Sequence, residues 1–100
     1  MSVSIYRITH GEFCNIINTV QRAIIPVGSL EQHGEHLPVS TDSLIAENIS
    51  RLVAEQIPSF VLPPILFGVS YEHRPMFNIS VHNSTLSRIL SDICCSLVEN

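Results

Sequence analysis

The chain of 100 residues contains no lysine, and its five cationic side chains are all arginine: Arg7, Arg22, Arg51, Arg74 and Arg88. They are scattered singly, whereas phosphate recognition needs clustered cations. With nine acidic residues the net charge is -4, so the sequence argues against a nucleic-acid partner. No apolar run approaches the roughly 20 residues that span a bilayer, so no membrane span is expected. The opening MSVSIYRITHGEF lacks the basic start and apolar core of a signal peptide, and the default reading is a cytoplasmic protein. Cys14, Cys94 and Cys95 are odd in number and show no CxxC spacing, which excludes a disulfide scaffold. Cys94 falls on an apolar helical stripe and reads as a small buried hydrophobe. No serine stands in a G-x-S-x-G context, and no G-x-G-x-x-G or G-K-[ST] cradle for a nucleotide is present.

What is there is apolar. Hydrophobic residues make up 45% and charged residues 14%, which is the composition of a folded chain rather than a disordered one. One hundred residues allow a single domain, and so short a chain buries a smaller fraction of its surface than a large one. An apolar composition at this size implies surface that meets something outside the chain. Further sequence of the same protein and a partner subunit both fit, and a homo-oligomer is expected.

Periodicity orders the elements. Thr9 and Glu12 form a capping-box pattern, and Phe13, Ile16, Ile17 and Val20 follow at helical spacing, predicting a short helix over 9–20. Ala23 to Val27 reads as a strand buried on both faces, with Pro26 at its end or at an edge. Ser40 or Thr41 caps a helix over 42–56, with Ile45, Ile49, Leu52 and Val53 as its apolar stripe and Pro58 just beyond it. Phe60 to Leu62 reads as a second strand, Ile65 to Val69 as extended, and Met76 to Val81 as a further strand. Ser84 then caps the clearest helix, with Leu86, Ile89, Leu90, Ile93, Cys94 and Leu97 on one stripe. Helices alternating with short apolar strands define an α/β class with a largely parallel sheet. After the last helix such a unit would return a strand to the sheet.

Chemistry concentrates between Gly28 and Asp42. Ligands of open α/β sheets bind outside the carboxyl ends of strands, and Glu31-Gln32-His33-Gly34-Glu35-His36 follows directly after the first apolar run. Glu31 and His33 are two apart, so extended backbone points both side chains to one side. Asp42 stands at a predicted helix start, where the helix dipole favours a carboxylate. Mixed oxygen and nitrogen donors suit Zn²⁺ or Mn²⁺ better than Ca²⁺ or Mg²⁺. The same three residues are also compatible with an ordinary solvated loop. Gly28 and Gly34 read as serving backbone geometry. His10 and His82 read as surface residues and Glu35 as solvated, while Glu72 and His73 either flank a pocket or pair locally.

The run Val27-Gly28-Ser29-Leu30-Glu31-Gln32-His33-Gly34-Glu35-His36-Leu37-Pro38, with Thr41-Asp42, resembles the signature of the creatininase (creatinine amidohydrolase) family. Leu44-Ile45-Ala46-Glu47 and Gly68-Val69-Ser70-Tyr71-Glu72-His73 are similar to it as well, so the resemblance covers roughly Ala23 to Leu97. It implies a three-layer αβα fold of which residues 1–100 are a single N-terminal portion, about the first half. It implies a centre of two divalent metals, Zn or Mn, with Glu31 on one, His33 on the other and Asp42 between them. His36 is expected to order a ligand or the loop rather than bind metal. The implied activity is hydrolysis of a small cyclic amide, a formamide or a related C–N bond by a metal-activated water, on a small-molecule substrate. Two departures stand out. The family's N-G-H motif, which carries further ligands, does not occur here. Its Phe-Pro-Gly-Thr element is replaced by Met76-Phe77-Asn78-Ile79-Ser80. A non-catalytic fragment or assembly module of the same fold is the alternative. A structural zinc site fits less well, because such sites are usually closed sets of Cys and His.

Overall fold

The computed structural model describes residues 2–100. Its elements in chain order are β1 (Ser2–Ser4), α1 (His10–Ile16), β2 (Ala23–Ile24), β3 (Leu30–Glu31), α2 (Thr41–Gln56), β4 (Ser59–Val61), β5 (Asn78–Ile79) and α3 (Asn83–Glu99). Three strands form a parallel sheet in the order β1-β4-β2, with Val3 opposite Phe60 and Ala23 opposite Phe60 on its other side. β3 and β5 form a separate antiparallel pair, Leu30 opposite Ile79 and Glu31 opposite Asn78.

Topology dictates the layers. The crossover from β1 to β2 passes over the position of β4, and the crossover from β2 to β4 returns the other way. Two right-handed crossovers in opposite directions place their helices on opposite faces, so α1 and α2 flank the sheet. Alternation along β4 agrees: Phe60 turns toward α1, while Ser59 and Val61 turn toward α2. On the α1 side Val3, Val20 and Phe60 form the buried core, with Phe13, Ile16 and Ile17 packed on it. The rings of Phe13 and Phe60 lie 5.3 Å apart, and burying a side chain of this size contributes about 1.5–3 kcal/mol. The expected α/β fold is therefore present as helices on both faces of a parallel sheet.

Several local expectations are corrected. α1 is shorter than predicted, although Thr9 does cap it, its hydroxyl accepting from the N–H of Glu12 at 3.1 Å. β2 is an edge strand with Ala23 exposed and Ile24 half-buried, not a strand buried on both faces. Beyond it Val27 bridges Ile65, so three steps from Ile24 match four from Val61, and the extra residue falls at the Pro63-Pro64 pair. β1 lay outside every apolar pattern. α3 starts at Asn83 with His82 as its cap, not at Ser84, and buries none of its residues fully. Cys94 is exposed rather than a buried hydrophobe.

The largest correction concerns α2. Its expected stripe is exposed, Ile45, Ile49 and Leu52 each by more than half, while Ser43, Ser50 and Ala54 are buried. The reason is distance. A Cβ added at Gly28 would stand 2.1 Å from Ser43 Oγ and 2.5 Å from Ser43 Cα, so only small residues fit where the helix meets the strand end. Large aliphatics are pushed to the outer flank. Gly28→Ala is accordingly expected to cost about 1–3 kcal/mol through overpacking. Gly11→Ala, at an exposed position of α1 where the added methyl would meet only Thr9 Oγ1 at an ordinary 3.9 Å, should instead gain about 0.5–1 kcal/mol. Thermal and urea melts of the two variants check the contrast, and equal shifts would refute the close-packing account.

Candidate metal centre

The ligand-bearing segment leaves the sheet at Gly28, whose N–H donates to the carbonyl of Ile65 at 2.8 Å. It is then held from three sides. Glu31 N–H donates to Val39 O at 3.1 Å, Gln32 N–H donates to Phe77 O at 2.8 Å, and Ser43 Oγ donates to Ser29 O at 3.2 Å. The last bond ties the first turn of α2 to the same loop and sets Asp42 beside it. Thr41 donates through its hydroxyl to Pro38 O at 2.6 Å, closing the loop before the helix. Gly34 takes φ 75°, the left-handed conformation that glycine adopts without strain, and turns the chain back toward α2.

Glu31, His33 and Asp42 are brought together, with one ligand atom of each lying within 4.8 Å of the others. His33 Nε2 is 3.5 Å from Asp42 Oδ1, and His33 Nδ1 is 3.5 Å from the backbone carbonyl of Glu31. A second group shares the same carboxylate. His73 Nε2 stands 3.1 Å from Glu31 Oε2, and Glu72 lies 3.8 Å from His73 with its own side chain 69% exposed. His73 sits on a one-turn 3-10 helix, Tyr71–His73, which follows Gly68. Ser80 Oγ accepts from Ser70 N–H at 2.8 Å, and Gly68 O accepts from Val81 N–H at 3.0 Å, pinning this turn to the chain beyond β5. His36 is exposed, lies in neither cluster and makes no side-chain hydrogen bond among the described residues. Glu35, His10 and His82 are exposed, as the sequence implied.

One residue escaped the sequence reading. Gln32 places its Nε2 2.9 Å from His73 Nδ1 and accepts the Gly34 N–H on Oε1 at 3.1 Å. Nothing in its type or spacing singles it out, since its partner lies 41 residues away.

Glu31 is only 8% exposed, and burial is the main cause that pushes its carboxyl above the ordinary 4.5. The Asp42 carboxylate beside it pushes the same way, both as a hydrogen-bond partner for the protonated form and as a like charge. The Ser29 hydroxyl, close by but without a well-formed hydrogen bond, and His73 pull in the opposite direction. No arginine relieves the pair. Arg51 and Arg88 bond Glu55 and Asp92, Arg22 donates to Pro58 O, and Arg7 and Arg74 lie over the rings of Tyr6 and Tyr71. Two carboxylates and an imidazole gathered without a cationic side chain fit a divalent cation, and this donor set suits Zn²⁺ or Mn²⁺. A cavity of about 980 Å³ lies elsewhere, between α1 and the end of α3, and none of these residues lines it.

Helices on both faces of a parallel sheet, with carboxylates and imidazoles gathered beyond the strand ends, define an α/β protein with its site at the carboxyl edge. The chain belongs to the creatininase family, whose creatinine amidohydrolase model matches residues 7–100. It is 43% identical over 60 residues to a mycofactocin precursor peptide peptidase of Mycolicibacterium smegmatis, covering 54% of this chain and 24% of that protein. It is 35% identical over 84 residues to a creatinine amidohydrolase of Pseudomonas putida, covering 77% of this chain and 32% of the relative. Among solved structures a creatininase superposes with TM-score 0.87 at 30% identity, over 98% of this chain and 40% of the other. A manganese form of creatininase gives 0.88 at 27% identity, and a mutant creatininase of Zn–Zn type gives 0.86 at 28%. The chain thus spans about a quarter to a third of these curated relatives.

The raised Glu31 carboxyl has a consequence for stability. An acid held above its unfolded value binds more protons folded than unfolded, so stability is full below about 4.5 and falls as pH rises through the raised value. The metal-free chain should lose stability on going from mildly acidic to neutral pH, and Glu31→Gln should flatten that loss. Melting curves across this range check both, and a wild type that gains stability with pH would contradict them.

Proposed function

We propose that this chain is the N-terminal part of a metal-dependent amidohydrolase, and that Glu31, His33 and Asp42 hold the divalent cations of its site. The observation that carries the reading is the buried Glu31 carboxylate, held beside the half-buried Asp42 and His33 with no arginine to neutralise the pair. A bound Zn²⁺ or Mn²⁺ polarises an amide carbonyl and lowers the pKa of a water to about 7. Glu31 and Asp42 supply negative charge to the cations, and His33 supplies a neutral nitrogen donor on the same side of the loop. Asp42 stands in the first turn of α2, and the family resemblance implies that it would serve two cations. The substrate is a small molecule with a cyclic amide, formamide or related C–N bond. The relatives named for creatinine and for a precursor peptide both support hydrolysis of such bonds.

Glu72 and His73 flank the pocket in this reading. We place the protein in the cytoplasm on the sequence alone; among the described residues no helix is long and apolar enough to cross a membrane. The exposed aliphatics of α2 support the expectation of a homo-oligomer, which sedimentation over a range of concentrations tests: a strict monomer would remove it.

In protein carrying the complete domain, Glu31→Gln, His33→Ala and Asp42→Asn should each lower bound metal and reduce amide hydrolysis by at least about 10²-fold, since each removes a donor. Asp42→Asn should lose the most metal. Elemental analysis with full metal content in all three variants would end this reading.

A further inference from the structure

His33 and His73 stand on either side of the same carboxylate, and their hydrogen-bond partners differ in kind. The backbone N–H of Gly34 can only donate, so the Gln32 atom that faces it at 3.1 Å must be the amide oxygen. That leaves the Gln32 NH₂ group facing His73 Nδ1 at 2.9 Å, and an amide NH₂ can only donate. His73 Nδ1 is therefore an acceptor, and the ring carries its hydrogen on Nε2, 3.1 Å from Glu31 Oε2. Turning the Gln32 amide over would set its NH₂ against the Gly34 N–H, two donors facing each other. His33 is different. Both of its ring nitrogens face acceptors, Nδ1 the Glu31 carbonyl and Nε2 the Asp42 carboxylate, each at 3.5 Å, so its surroundings do not commit it to one tautomer.

We propose that Gly34, Gln32, His73 and Glu31 form a directional relay that makes Gln32 and His73 positioning residues, with His73 held in a single tautomer. His73 then offers no nitrogen lone pair to a cation, whereas His33 is not committed in this way. The group Glu31, Glu72 and His73, as tightly clustered in space as Glu31, His33 and Asp42, is not a second cation site, because His73 Nε2 carries a hydrogen and Glu72 is solvated. The relay engages Oε2 of Glu31. Such partners fix ligand orientation, and their loss typically costs 10–100-fold in metal affinity. The positioning role rests on the cation reading above, whereas the tautomer of His73 does not.

The two parts separate in one set of measurements on the full 100-residue chain. Imidazole ¹H–¹⁵N correlation spectra of the metal-free protein should show His73 with a hydrogen-bearing Nε2 and a bare Nδ1. Gln32→Glu puts an acceptor opposite His73 Nδ1 and should move the hydrogen there, taking it from Glu31. Titration with Zn²⁺ should show about 10–100-fold weaker binding for Gln32→Glu and His73→Phe. His73→Gln, which keeps a donor at the ε position, should restore most of that loss. A wild-type spectrum with hydrogen on His73 Nδ1 overturns the relay even if every variant fails to fold. Unchanged Zn²⁺ affinity in His73→Phe overturns the positioning role alone, and a wild type that takes up no Zn²⁺ at all sinks the cation reading together with that role.

Discussion

The contact between Gly28 and Ser43 determines where everything else in the site can be. The strand end and the first turn of α2 meet so closely that no Cβ fits between them. From that contact follow the bond of Ser43 to Ser29 O, the small residues along the buried side of α2 and the position of Asp42 one residue before Ser43. A loop alone would leave Glu31 and Asp42 free to separate, as like charges prefer. Here backbone bonds to Val39 and Phe77 on one side and a packed helix on the other deny them that freedom. This enforced proximity adds to burial, which is the main cause that raises the Glu31 carboxyl.

Much of this was legible in the sequence, for a reason that also explains what was not. Glu31, His33 and Asp42 could be read because they are local: two share one extended segment, and the third opens a helix whose start is marked by Ser40, Thr41 and Asp42. The α/β class was legible because helical and strand-like runs alternate. Residues whose roles depend on contact at long range were not. Gln32 and His73 meet across 41 positions, and neither periodicity nor motif spacing carries that meeting. His36, three residues from His33 and chemically equivalent to it, looked better placed than His73 and yet points to solvent.

The α2 stripe shows the same limit in packing. Hydrophobic periodicity assumes that the apolar side of a helix faces the core of its own chain. Ile45, Ile49, Leu52 and Val53 do lie on one side, and the helix they predict exists, but close approach to the sheet selected the side of Ser43, Ser50 and Ala54 instead. Serine and alanine register as neutral in such a pattern, so their burial leaves no trace in it. The same blindness hid β1, where the serines of Ser2–Ser4 surround a single buried Val3.

An aliphatic flank exposed on one side of α2, and an edge strand β2 on the sheet, sit in a chain that covers about 41% of the creatininase structures it superposes on. Neither feature disturbs the carboxylate–imidazole cluster, because every bond that holds the ligand loop comes from within residues 28–81. The cluster is therefore assembled before any further ligand is supplied. The placement of Glu31, His33 and Asp42 draws on no residue outside 28–81. That independence separates two properties that usually fail together: the arrangement of these donors depends on Gly28, Ser43, Gln32 and His73, whereas the affinity and reactivity of a cation depend on how many donors finally surround it.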